Sequence, residues 1–157
     1  LRSAAPSLLA REPKALRQAV STAIADKIRI GSADERDRGP RMVLNLGHTV
    51  GHALEAAGGY TRLLHGEAVG LGFLVEHRFA ASRGLAGPSV PVLLSELLGQ
   101  FGLPTAAEPA LVAQALAHLG ADKKRKGRSI ALPLAMSPGN VVVREVDIDE
   151  LSRGLTP

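Results

Sequence analysis

Leu16, Val20, Ile24 and Ile28 recur every four residues. That spacing draws one apolar stripe along a helix and predicts helix from Ala15 to Ile30. Three later segments read the same way: His65 to Ser82, Val90 to Phe101 and Glu108 to Leu119. Aromatic residues make up only 3% of the 157-residue chain, so its core must be built from Leu, Val, Ile and Ala, which suits packed helices. The breaks carry turn chemistry: a charged loop from Gly31 to Pro40, the Gly58-Gly59 pair, and a linker from Gly84 to Pro91. Arg41 to Ala57 reads as a strand-like or buried start running into a helix. Near the end, Ser129 to Ala135 and Val141 to Val146 read as two short strands around the turn Ser137-Pro138-Gly139-Asn140, a β-hairpin. Asp147 is placed to cap a last helix ending near Leu155. The expected fold is mainly α, a helical bundle with one small C-terminal β-hairpin, in a single domain over residues 1–157.

Composition narrows the chemistry. The chain has no cysteine, which excludes disulfides, thiolate metal sites and a cysteine nucleophile, and fits a cytosolic setting. No apolar run reaches the roughly 20 residues of a membrane span, and Leu1 to Pro13 lacks a signal-peptide core, so no membrane partner is expected. A formal charge of +4 favours anionic partners, phosphorylated metabolites included. The scarcity of aromatic rings argues against single-stranded nucleic acid, which binds by stacking. Starting at Leu1, the sequence reads as a fragment or a processed product.

His48 and His52 lie four apart, which on a helix puts both imidazoles on one face. Such a pair can share a metal, or one ring can bind metal while the other handles protons; it can also be two polar residues on a partly buried face. A zincin would need Glu directly after the first histidine, and Thr49 stands there. His65 opens the next helix, and a helical hairpin would return it close to His48. Glu55 lies two turns beyond His48, and Glu67 is either a partner of a ligand or ordinary first-turn charge. Gly47, Gly51, Gly66, Gly70 and Gly72 crowd these two helices. Glycine inside a helix costs about 1 kcal/mol relative to alanine, so this crowding signals close approach to a neighbouring backbone or ligand. Arg41 and Asn45 suit anion and hydroxyl recognition, or are a solvated cation and a helix cap. Asp122 to Arg128 reads as a basic loop in which Lys123 or Lys124 can hold phosphate or carboxylate. His77 and His118 are assigned to structure.

Taken together, R-x-x-L-N-x-G-H-T-x-G-H-A-L-E at Arg41 to Glu55, L-L-H-G-E-A-V at Leu63 to Val69 and D-K-K at Asp122 to Lys124 resemble the 3-dehydroquinate synthase family. The resemblance implies conversion of 3-deoxy-arabino-heptulosonate 7-phosphate to 3-dehydroquinate and phosphate in the shikimate pathway. It implies a carbon–oxygen lyase that uses NAD transiently and a divalent metal, zinc or cobalt. It makes His48 and His65 metal ligands. His52 would lie beside the substrate phosphate or take part in proton transfer. Lys27, Arg41 and Asn45 would contact substrate, and Lys123 or Lys124 would hold one anionic end. The family's NAD site belongs to an N-terminal α/β domain, and its third metal ligand is a glutamate upstream of the segment seen here; neither is found in this chain. A homodimer is implied for the full-length protein, and inactivity for this portion alone. Other sugar-phosphate cyclases and metal-dependent alcohol dehydrogenases are the alternatives. Leu44-Asn45 and the lysine pair favour the dehydroquinate reading.

Overall fold

The computed structural model describes residues 1–32, 40–126 and 128–155, with side chains described for 1–32, 41–119 and 128–153. Its helices are α1 (Ala5–Leu9), α2 (Pro13–Gly31), α3 (His48–Ala57), α4 (His65–Ser82), α5 (Val90–Gln100), α6 (Pro109–Lys126) and α7 (Ile148–Leu155). Strands β1 (Ser129–Ser137) and β2 (Asn140–Asp147) form a two-stranded antiparallel sheet. Among the described residues this is the expected helical bundle with its C-terminal hairpin. No described helix is long and apolar enough to cross a membrane.

Helix α2 starts two residues before the expected Ala15, with Pro13 at its first position, where its missing N–H has no intrahelical partner to lose. The stop at Gly58-Gly59 and the cap at Asp147 act as the sequence reading expects. At the end of α3, Gly59 takes the left-handed conformation with φ 61°. Its N–H then reaches Ala56 O (3.1 Å), and the Tyr60 N–H reaches Glu55 O (2.8 Å), which closes the helix in a Schellman arrangement. Asp147 Oδ1 accepts from the N–H groups of Asp149 (2.8 Å) and Glu150 (3.1 Å), capping α7.

Other local details differ from the sequence reading. The strand-like start before the histidines is a 3-10 turn, Pro40–Asn45. Helix α6 runs on to Lys126, so Asp122 to Lys126 is helical backbone rather than loop. The segment before Pro13 contains a 3-10 turn, Arg2–Ala4, and the short helix α1.

The core lies where α3, α4, α6 and α7 meet one face of the hairpin. Leu54, Leu71, Leu132, Leu134 and Leu151 fill it and are fully buried, with Phe79, Leu111 and Ala115 packed among them. The stripe on α2 takes no part in this core. Leu16, Val20, Ile24 and Ile28 are 40%, 56%, 54% and 62% exposed. Periodicity identified a face fit for burial, but among the described residues nothing buries it.

Candidate functional site

The site grows from the contact between α3 and α4. Gly47 starts α3 with φ +76°, and a Cβ there would stand 2.5 Å from both Val69 O and Phe73 N. A Cβ on Gly72 would stand 2.2 Å from Gly47 O and 2.4 Å from Gly51 N. The two backbones therefore touch, and only glycine fits at the crossing. This accounts for Gly47, Gly51 and Gly72. Gly66 meets nothing within 4 Å, and Gly70 meets only the side chain of Leu98.

That close crossing, with the α3 turn closed at Gly59, returns the chain so that His65 opens α4 beside the two histidines of α3. Ring centroids are 5.3 Å apart for His48 and His52, 5.6 Å for His48 and His65, and 5.9 Å for His52 and His65. The last pair is stacked with 27° between the planes. His48 Nδ1 lies 3.1 Å from the Leu46 carbonyl, which can only accept, so this nitrogen donates. His65 Nδ1 lies 3.1 Å from Glu55 Oε1 and donates in the same way to the carboxylate. With Nδ1 donating, the nitrogen each ring can offer to a metal is Nε2. Glu55 is drawn in further than its position two turns from His48 suggested. One donor atom each from His52, Glu55 and His65 lie within 4.8 Å of one another. Two or three imidazoles with a carboxylate form a donor set suited to zinc or another borderline divalent cation.

A cavity of about 740 Å³ opens beside this cluster. Asn45, His48, His52, Tyr60 and His118 line it, with Ile130 and Pro133 of β1 on the far side. Asn45 is thus placed with the histidines. Arg41 and Lys27 are exposed and are not among the residues lining the cavity. The side chains of Lys123 and Lys124 lie outside the described residues. His118, assigned to structure on sequence, faces the cavity, because α6 packs along α3. Glu67 Oε2 accepts from the Leu64 N–H (2.8 Å), the ordinary first-turn role considered for it.

Two buried polar side chains of α4 support the site from behind. His77 is fully buried; its Nδ1 donates to Phe73 O (2.9 Å), and its Nε2 accepts from the Ala135 N–H (2.8 Å), tying α4 to β1. Burial pushes its pKa below 6.5, opposed by the bond to Phe73. Glu76 is also fully buried. Its Oε2 accepts from Gly47 N–H (3.1 Å) and its Oε1 from Val50 N–H (2.9 Å). Burial raises its pKa to about 7, against the lowering effect of the backbone N–H groups of Val50, Gly47 and Thr49. Sequence reading passed over Glu76. The only available signal was an acidic residue between Val75 and the already singled-out His77, in an otherwise apolar helix.

Fold and cluster together define a helical domain that gathers imidazoles and a carboxylate beside one cavity. The profile of the family "3-dehydroquinate synthase C-terminal" matches residues 1–125. A 3-dehydroquinate synthase of Pyrobaculum neutrophilum is 39% identical over 158 aligned positions, covering 99% of this chain and 45% of the relative. One from Aeropyrum pernix is 40% identical over 152, covering 94% and 41%. Among solved structures, a 2-deoxy-scyllo-inosose synthase complexed with carbaglucose-6-phosphate, NAD+ and Co2+ superposes with a TM-score of 0.73 at 19% identity, covering 92% of this chain and 41% of that one. A 2-epi-5-epi-valiolone synthase from Streptomyces hygroscopicus with NAD+ and Zn2+ gives 0.59 at 26% identity, covering 90% and 38%. The chain belongs to the 3-dehydroquinate synthase C-terminal family, and it spans less than half the length of the relatives it matches.

Proposed function

We propose that this domain is the metal- and substrate-binding portion of a 3-dehydroquinate synthase, a carbon–oxygen lyase of the shikimate pathway acting in the cytoplasm. The observation that carries this reading is the pair His48 and His65. Both rings have Nδ1 engaged and stand 5.6 Å apart between centroids, and His48 lines the cavity together with Asn45. His48 and His65 would hold a zinc or cobalt ion, with His52 as a further donor within this chain and Glu55 orienting the His65 ring through its Nδ1. A divalent ion there would polarise the alcohol and carbonyl oxygen of the substrate, easing hydride exchange with NAD.

The substrate assigned is 3-deoxy-arabino-heptulosonate 7-phosphate, which loses phosphate and closes to 3-dehydroquinate. His52 stands beside the phosphate and passes or receives a proton. Asn45 holds a hydroxyl. Arg41, Lys27 and one of Lys123 and Lys124 supply the cations that a phosphate and a carboxylate require. NAD would bind mainly to an N-terminal α/β portion supplied outside these residues, and the exposed stripe on α2 is surface that such a portion would cover. The relatives' names support the activity, and the NAD+ with Co2+ or Zn2+ in the two neighbouring structures supports the cofactors.

The test is to follow phosphate release and 3-dehydroquinate formation with this domain alone and joined to its α/β portion. Turnover is expected only in the joined protein, only with NAD and a divalent metal. A joined protein that ignores the heptulosonate phosphate but cyclises another sugar phosphate would move the domain to another branch of the cyclases. Turnover by the isolated domain would show that the missing portion is not needed.

A further inference from the structure

Helix α3 presents two of the three clustered histidines, yet it has no cap of its own. Its first N–H groups have no partner within the helix, and the residue before it is Gly47, which carries no side chain. A local Ser, Thr, Asn or Asp cap is sterically barred, because a Cβ at position 47 would stand 2.5 Å from backbone atoms of α4. The missing acceptors arrive from α4 instead. The two carboxylate oxygens of Glu76 take the N–H groups of Gly47 and Val50, on either side of His48. Glu76 is fully buried, so water cannot stand in for it. The same helix α4 begins with His65. One rigid element therefore carries the third histidine at its start and grips the beginning of α3 at its middle.

We propose that Glu76 is a positioning residue for the histidine cluster: by capping α3 from the neighbouring helix, it fixes His48 and His52 relative to His65. The inference rests on the metal-binding reading of those histidines given above. An ordinary core position would be served by any apolar side chain of similar volume. Here the two oxygens meet two donors that bracket a histidine, and loss of either contact frees the first turn of α3. A carboxylate also sits favourably at the positive end of the α3 dipole.

The test compares the whole protein with Glu76→Gln, which keeps one carbonyl acceptor, and Glu76→Ala, which keeps none. Leu151→Ala, a core truncation on α7, is the control for general destabilisation. Affinity for Co2+ alone should weaken by about tenfold in Glu76→Gln and more in Glu76→Ala, the range seen when support behind a ligand is removed. Leu151→Ala should leave it near the wild-type value at a temperature where all are folded. Amide exchange at Thr49 and Val50 should quicken in the two Glu76 variants and not in the control. Equal Co2+ affinity in all four proteins overturns the proposal, as does equal weakening by Leu151→Ala. If Glu76→Ala does not fold, Glu76→Gln decides. If the wild type binds no Co2+, the metal reading fails separately. The inference is then judged on the ring ¹H–¹⁵N shifts of His48 and His52, which must move in Glu76→Gln and stay in place in the control to support it; shifts unmoved in Glu76→Gln overturn it.

Discussion

Glu55 Oε1 stands 3.1 Å from Nδ1 of His65, joining the third turn of one helix to the first residue of the next. Glu55 is largely sheltered, with its side chain 12% exposed, whereas that of His65 is 61% exposed. The sheltered carboxylate therefore orients the exposed ring. Under the metal reading, Glu55→Ala should weaken binding of Zn2+ or Co2+ by about 10- to 100-fold while leaving helix content unchanged. Calorimetric titration of the purified protein checks this; an unaltered affinity would remove Glu55 from the site.

The glycines of α4 make a sharper contrast. Gly72→Ala forces a methyl group to within 2.2 Å of Gly47 O, backbone that cannot step aside without parting α3 from α4. Overpacking of this kind costs about 1–3 kcal/mol. Gly66→Ala meets nothing and should be neutral or stabilising by up to about 1 kcal/mol, since alanine is the better helix former. Urea denaturation of the two variants distinguishes them. Similar midpoints would mean that the helices do not touch where they are placed.

His77 gives the fold an acid-sensitive point. Its buried neutral ring accepts the Ala135 N–H on Nε2, so protonation would put a proton where the acceptor must be. With a folded pKa lowered from 6.5, the stability it contributes is complete above that value and is lost as the pH falls below it, through the folded pKa. His77→Gln, which does not titrate, should show a shallower loss of stability below pH 6.5 than the wild type. Parallel curves between pH 8 and 5, a range of about three units around the ordinary histidine value, would exclude His77 as the cause.

Asp147 ends the hairpin and caps α7 through two N–H groups. Asp147→Ala should cost about 1 kcal/mol, typical of a lost cap. Asp147→Asn, which keeps the accepting oxygen, should recover most of that loss. Thermal melts of the pair check it, and equal losses in both would point to the carboxylate's charge rather than its capping.

The sequence alone determined what depends on neighbours along the chain. Helix α4 falls at His65–Ser82 as its apolar content and the preceding Gly58-Gly59 stop required. The hairpin follows from its turn residues, and α7 from Asp147. Spacing put His48 and His52 on one face, and the motifs around them carried the family. Tertiary structure decided the rest, because it depends on which surfaces meet. It left the stripe of Leu16, Val20, Ile24 and Ile28 outside the core, since a helical period says that a face can be buried and not by what. It brought His118 to the cavity from a distant helix. It turned Gly72 from a poor helix residue into the one that lets α4 touch α3. Glu76 was beyond reach for the same reason: its role lies in N–H groups 26 and 29 residues away, left unpaired by a helix that cannot cap itself.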